Sequence, residues 1–248
     1  MAAPTNTPSL VGLVAAGTLD AELAALVWLL VEHEVPLVVA VPAGRLRAGE
    51  ELAGAIRASV RPDDATVAAG SAAGMPEGAP DRATAWALVH GHRSTLVLEA
   101  PSLEALRDRL VSPPIRLSAE ELTFLGLVLV LAPAPDRPAG PLRVAAAHYV
   151  RPLARDAHGH AQLLAPAVLA TWDGRAGRYE HFAWGVLPEI ASRFGLRAGD
   201  LEADLHHRRD DLRGLATAGV TALPEVQRLV AGYRAGYGNG HGHGSGGD

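Results

Sequence analysis

Three short runs of apolar residues constrain the fold of this chain more than any other feature. They are residues 35–41 (VPLVVAV), 94–99 (STLVLE) and 127–131 (LVLVL). Continuous runs rich in Val and Leu are typical of strands in a parallel sheet that helices cover on both faces. The sequence therefore predicts an α/β protein with a mostly parallel sheet at its centre.

Helix signals lie between these runs. An apolar stripe at helical spacing follows Thr18, which we expect to be the N-cap of a first helix. A second helix is predicted over residues 50–58, and a third begins after a cap at Ser102. Ser118 and Glu121 have the Ser-x-x-Glu spacing of a capping box, which predicts another short helix.

The pattern changes in the second half of the chain. Strand-like stretches at residues 143–150, 161–172 and 178–184 follow one another at short intervals, which predicts antiparallel pairing. Three more helices are expected, and they would begin near Pro188, Gly199 and Pro224. The predicted division is a loose N-terminus over residues 1–9, an α/β core over 10–135, an antiparallel extension over 136–186, C-terminal helices over 187–235 and a disordered Gly/His tail over 236–248.

Composition excludes several kinds of chemistry. The chain has 248 residues and no cysteine, so disulfides, thiol nucleophiles and Cys-ligated metals are excluded. All 22 basic residues are arginine, so there is no Schiff-base lysine and no lysine for a phosphate-binding loop. A net charge of -5 argues against nucleic-acid binding, and the longest apolar run is too short to cross a membrane. We expect a bacterial protein of the cytoplasm.

The segment after the first predicted strand is where a phosphate-binding loop would lie. It reads VPAGRLRAGE over residues 41–50, with glycines at Gly44 and Gly49 and no Ser or Thr for a magnesium ion. Glu50 and Glu51 add negative charge where a phosphate would bind. From the residues alone, this segment is an ordinary connection between a strand and a helix.

The order of the elements nevertheless resembles the core of the type II/type IV secretion and type IV pilus motor ATPases. The similar segments are residues 35–40 (VPLVVA), 102–106 (SLEAL), 125–131 (LGLVLVL) and 146–152 (AAHYVRP), within a span of about 10–195. The resemblance implies a RecA-like core over residues 10–135, a nucleotide as ligand and a ring of identical subunits. It also implies that Gly44, Arg45, Arg47 and Gly49 are the remnant of a phosphate loop.

The functional motifs of that family are not present. Where the family has Gly-Lys-Thr or Gly-Lys-Ser, a gap-free match places Arg47 and Ala48, and arginine does not replace a compact ammonium group in a tight phosphate loop. Where the family has Thr-x-His-Ala, residues 97–100 read VLEA, with Glu99 at the histidine position. The stretch that should hold the acidic catalytic residues is short and rich in Ala and Gly. The resemblance therefore implies that hydrolysis is absent or very weak.

Three hypotheses for function remain. The first is a degenerate relative of these ATPases, acting as a non-hydrolytic structural or regulatory subunit, with protein partners or copies of itself, and with ATP or ADP as a ligand that is not hydrolysed. The second is an atypical NTPase that uses Arg47 for phosphate and the glycines Gly44 and Gly49 for the turn. The third is an unrelated α/β interaction module in which the loop is only a connection. None of them assigns a catalytic residue.

Histidines and aromatic residues offer weaker signals. The pairs His158/His160 and His241/His243 have chelating spacing, but they lie in a predicted turn and in the tail, so no metal site is predicted. His206 and His207 would point to different helix faces, Glu180 and His181 to opposite strand faces, and His148 is expected to be half-buried. The aromatic residues Trp172, Tyr179, Phe182 and Trp184 are predicted to form a small core, with a partner-binding surface as the alternative.

Overall fold

A computed structural model describes residues 8–62, 68–69, 85, 95–134, 137–155, 158 and 160–240. The helices treated below are α1 (Leu10–Ala15), α2 (Ala21–Glu32), α3 (Leu46–Val60), α4 (Leu103–Val111), α5 (Leu187–Arg193), α6 (Ala198–Thr217) and α7 (Leu223–Gly240). The strands are β1 (Leu37–Val41), β2 (Ala68–Ala69), β3 (Thr95–Glu99), β4 (Leu127–Pro133), β5 (Leu142–Tyr149), β6 (Ala154–Arg155), β7 (Ala161–Gln162), β8 (Ala167–Asp173) and β9 (Arg178–His181). Short 3-10 helices lie at Glu121–Phe124 and Ala183–Gly185.

The sheet confirms the predicted α/β fold. It has seven strands in the order β2-β3-β1-β4-β5-β8-β9, and β6 and β7 form a separate two-stranded sheet. The first four strands in this order are parallel to one another, with β1 between β3 and β4. β5, β8 and β9 continue the same sheet in antiparallel fashion. The antiparallel extension is thus part of the central sheet.

Side chains on alternate positions of β1 enter two different hydrophobic clusters, which explains why this strand is apolar throughout. Val38 and Ala40 pack in a cluster that includes Leu106 of α4. Leu37 and Val39 face the other way and pack in a larger cluster built from α1, α2, α3 and the C-terminal helices. Helices therefore cover both faces of the sheet.

Helix α2 is buried over nearly all of its length, and its N-cap differs from the predicted one. Asp20, not Thr18, caps it, because the Asp20 carboxylate accepts a hydrogen bond from the Leu23 N–H at 2.9 Å. An anionic acceptor is favoured at the positive end of a helix dipole. The Thr18 carbonyl instead accepts hydrogen bonds from the Val144 N–H and the Tyr179 hydroxyl.

The N-terminal region is better ordered than predicted over the residues that the structure describes. Ser9, assigned to a loose N-terminus, is fully buried, and its side chain accepts a hydrogen bond from the Gly12 N–H as the N-cap of α1. The Ser9 hydroxyl also donates to the carbonyl of Thr221, 2.6 Å away, which ties α1 to the C-terminal helices. Residues 1–7 of that predicted segment lie outside the described residues.

Several predicted boundaries shift. The stretch at residues 161–172 is divided between β7 and β8, with Pro166 between them, and β9 ends at His181 rather than 184. The capping box is confirmed: Ser118 and Glu121 each donate a backbone N–H to the side chain of the other, although the helix is only one 3-10 turn. Helix α7 continues through residues 236–240 of the predicted disordered tail. Residues 241–248, with His241 and His243, lie outside the described part of the chain.

Among the described residues, no helix is both long enough and apolar enough to cross a membrane.

Candidate functional site

The predicted phosphate loop is a tight turn. Its residues 42–45, called here the β1–α3 turn, join β1 directly to α3. The Arg45 N–H donates to the carbonyl of Pro42 at 3.1 Å, and Gly44 has a φ of +73°, a conformation that side chains disfavour. No side chain caps the start of α3. The chain therefore turns over a very short distance before the helix begins.

A carboxylate from the neighbouring strand binds this turn. Glu99, the last residue of β3, accepts a hydrogen bond from the Gly44 N–H at 2.6 Å. The Ala100 N–H donates to the carbonyl of Val41 at 2.8 Å, which holds the end of β3 beside the end of β1. Backbone N–H groups of a tight turn can bind an anion, and here the anion is a carboxylate of the protein itself.

The two arginines of the predicted loop already have acceptors. A terminal nitrogen of Arg45 donates to the Gly140 carbonyl at 2.6 Å, across to the loop before β5. Arg47 lies on the exposed side of α3, where its side chain is 90% exposed and pairs with Glu51 at 3.0 Å. Neither guanidinium group depends on an added anion for a partner.

Gly49 has a packing role that explains why glycine is needed. A Cβ atom there would lie 2.5 Å from a methyl carbon of Val97 and 2.8 Å from one of Val41. The missing side chain lets α3 lie directly on β1 and β3. Of the four residues predicted to hold phosphate, Gly49 packs α3 on the sheet, Arg45 and Arg47 bind groups within the chain, and Gly44 binds Glu99.

The histidines lie in separate environments. Burial lowers the pKa of His148, although the charge of Glu104 opposes this effect. The rings of His158 and His160 are exposed and their centroids are 6.2 Å apart, while His206 packs on the edge of Trp184. Among the residues that the structure describes, no group of three or more His, Asp or Glu side chains is arranged to hold a metal ion.

One histidine forms an ion pair that sequence reasoning missed. His181 Nε2 lies 2.9 Å from a carboxylate oxygen of Asp20, and its Nδ1 lies 3.9 Å from Glu22. Burial opposes charge on His181, but the hydrogen bond to Asp20 and the charges of Asp20 and Glu22 raise its pKa overall. Burial likewise opposes charge on Asp20, but the hydrogen bonds from His181 and Leu23 lower its pKa overall. The pair joins the start of α2 to the edge strand β9, and no local signal indicates it.

The four clustered aromatic residues divide into two pairs. Tyr179 is buried, packs edge-on against Trp172 with ring centroids 5.0 Å apart, and donates its hydroxyl to the Thr18 carbonyl. Phe182 and Trp184 are each 48% exposed. The predicted core therefore accounts for one pair, and the alternative of an exposed surface accounts for the other.

A buried ionic network lies where α2, α6 and α7 meet, beside a cavity of about 320 Å³. Arg208, whose side chain is 5% exposed, lies 2.5 Å from Glu32 and 3.0 Å from Asp204. Its guanidinium group also lies over the rings of Trp28 and Tyr233, at 4.5 and 4.9 Å from their centroids. Since the network supplies its own counter-charges, we attribute to it a structural role in fixing these helices.

Comparison with known proteins adds no family assignment: no protein-family model matches the chain, and no curated protein matches it.

Proposed function

We propose that this chain is a non-hydrolytic structural or regulatory protein of the cytoplasm, built on a core that resembles that of secretion and pilus motor ATPases. It acts through contacts with a protein partner or with further copies of itself. The observation that carries the proposal is the hydrogen bond from the Gly44 N–H to Glu99. Through this bond, a carboxylate of the chain occupies the turn at which such an ATPase would bind phosphate.

Electrostatics supports this reading of the β1–α3 turn. A phosphate group at Gly44 would have to displace the Glu99 carboxylate or share the turn with it, and two anions at one helix start repel each other. No lysine exists in the chain to offset that repulsion. Arg45 is held by the Gly140 carbonyl, and Arg47 pairs with Glu51 on the surface.

An exposed aromatic pair supports the part of the proposal that concerns partners. Phe182 and Trp184 lie next to the edge strand β9, and each keeps nearly half of its surface exposed. Aromatic side chains on a surface are enriched where proteins bind one another. This surface favours a protein that works by contact.

ATP turnover tests the proposal directly. We expect the purified full chain with Mg²⁺ and ATP to release phosphate no faster than buffer does, and we expect Arg47→Ala to leave that result unchanged. Phosphate release that is measurable in the wild type and falls at least tenfold in Arg47→Ala would support the atypical NTPase instead. An Arg107→Ala variant, which removes an exposed arginine of α4, is the matched control.

A further inference from the structure

A second cluster of arginines lines a cavity of about 600 Å³ beside the start of α2. The first residues of β5, the β8–β9 hairpin and the last turns of α6 form its other walls. We call it the arginine cavity and define it by Arg143, Arg178, Arg213, Trp172 and Asp20. It shares none of these residues with the β1–α3 turn.

Arg143 is the most buried of the three arginines. Its guanidinium carbon lies 4.2 Å from the centroid of the Trp172 ring, so stacking fixes its position. The Nε atom of Arg143 is buried and has no hydrogen-bond partner among the described residues. A buried N–H without an acceptor is costly, so Arg143 has a hydrogen-bonding capacity that the described residues leave unused.

The other two arginines add positive charge that nearby carboxylates compensate only in part. Arg213 is 62% exposed and has its nearest ion-pair partner, Asp210, only at 4.0 Å. Arg178 is exposed and is paired across the β8–β9 hairpin with Asp173, whose pKa is lowered by backbone hydrogen bonds and also by the charge of Arg178. The cavity thus carries three arginines in a chain whose net charge is -5.

The one acidic residue of the cavity is already engaged. Asp20 accepts the Leu23 N–H on one carboxylate oxygen at 2.9 Å and contacts His181 with the other, also at 2.9 Å. Its charge is therefore shared with the helix start and with His181, and it neutralises the arginines only in part. Among the residues that line the cavity, three arginines outnumber one aspartate, and Asp173 and Asp210 beside the cavity reduce this excess of positive charge.

The position of the cavity in the fold is one at which α/β proteins bind ligands. Arg143 is paired with Ala132 near the carboxyl end of β4. Trp172 is paired with Tyr179 at the same end of the strands. Ligands of open α/β sheets bind outside the carboxyl ends of the parallel strands. The arginine cavity lies at this end of the strands, displaced from the β1–α3 turn toward the antiparallel strands.

We infer that the arginine cavity binds a small organic phosphate, with the phosphate on the arginines and the organic part along the partly buried side chains of Val14 and Trp172. Guanidinium groups match phosphate oxygens with paired hydrogen bonds, and three of them line this cavity. A volume of about 600 Å³ lies within the range of small-molecule sites. Apolar side chains beside the arginines favour a phosphate ester over free phosphate.

The test is ligand-induced stabilisation of the full chain, measured by thermal unfolding at low salt with pyrophosphate, ADP and adenosine as probes. At concentrations of about 100 times Kd, ADP is expected to raise Tm by about 5–10 °C. Pyrophosphate should bind more weakly than ADP, because it lacks an organic part, and adenosine should cause no shift. Raising the salt concentration should weaken both phosphate probes.

Variants locate the binding. Arg143→Gln should weaken ADP binding at least tenfold, and Arg178→Gln should weaken it several-fold. Arg107→Gln and Arg47→Ala, which remove arginines outside the cavity, should leave it within twofold. Should Arg143→Gln fail to fold, Arg178→Gln and Arg213→Gln, on exposed side chains, carry the comparison.

The inference is overturned by the absence of a shift with either phosphate probe, by equal shifts with ADP and adenosine, or by ADP binding that survives all the cavity substitutions. Binding lost in Arg47→Ala but kept in Arg143→Gln would place the ligand at the β1–α3 turn, which counts against the arginine cavity and against the closure of that turn by Glu99. Absence of ATP turnover leaves this test unaffected, so the two proposals fail separately.

Discussion

The β1–α3 turn and the arginine cavity both lie at the carboxyl ends of the parallel strands, and each places charged side chains close to the start of a helix. At the turn, the Gly44 N–H is bound by Glu99 and the arginines have partners within the chain. In the cavity, Arg143 keeps a buried N–H without an acceptor among the described residues. A loop motif therefore indicates where an anion could bind. Contacts with residues distant in sequence determine whether a group of the chain already binds there.

The largest effect is expected where the turn meets the core. Gly49→Ala places a Cβ at 2.5 Å from a methyl carbon of Val97, so either α3 or the buried valine side chains beneath it must shift. We expect a loss of about 1–3 kcal/mol in the free energy of unfolding, measured by urea denaturation. This result would separate the turn from a phosphate site, because it gives Gly49 a packing role that needs no phosphate.

Gly54 is the matched control in the same helix. A Cβ there meets nothing within 4 Å, so Gly54→Ala should stabilise the chain by about 0.5–1 kcal/mol through helix propensity. Equal stability of the two variants would contradict the packing role of Gly49. The glycine at position 49 would then need another explanation, such as a role in binding phosphate.

An intermediate effect is expected beside the arginine cavity, at the ion pair of His181 and Asp20. The pKa of His181 is raised, so its contribution is complete below the ordinary value of 6.5 and is lost as pH rises through the folded pKa. The pKa of Asp20 is lowered, so its contribution is complete above 3.8 and is lost as pH falls through the folded pKa. The pair therefore stabilises the fold most between these two values.

His181→Gln should consequently lower the unfolding free energy by about 0.5–1 kcal/mol at pH 5.5, a small value because solvent screens a partly exposed pair. The loss should be smaller at pH 8.5, where His181 carries less charge. Thermal unfolding across this pH range measures the difference. His207→Gln, which removes an exposed histidine of α6, serves as the control. A deficit for His181→Gln that grows toward alkaline pH would contradict the assigned directions.

Local signals were enough to predict the strands and some of the caps. The runs at residues 35–41, 94–99 and 127–131 became β1, β3 and β4, because a strand buried on both faces leaves an unbroken apolar pattern. Ser102 caps α4 as expected, because a cap depends on residues three positions apart.

Features that depend on distant residues were not predictable in this way. Thr18 and Asp20 are both good caps two positions apart, and the contacts of the folded chain decide between them. The Glu99–Gly44 bond joins residues 55 positions apart, and the His181–Asp20 pair joins residues 161 positions apart. A single sequence does not indicate such pairs, because no pattern near one residue marks its distant partner. The arginine cavity was missed for the same reason, because its arginines come from β5, β9 and α6.

The smallest effect is expected at the bond that closes the turn. Glu99→Gln keeps an oxygen that can accept the Gly44 N–H but removes the charge that strengthens the bond, and the contact is exposed to water. We expect a loss of about 0.5 kcal/mol or less, with Glu202→Gln on the exposed face of α6 as the charge-matched control. ATP turnover should remain absent, because removing a competing carboxylate supplies neither a lysine nor a hydroxyl for magnesium. ATP turnover in Glu99→Gln would mean that the Glu99 carboxylate alone prevents hydrolysis at the turn. The turn would then be an inhibited NTPase site and not one that has lost the residues for hydrolysis.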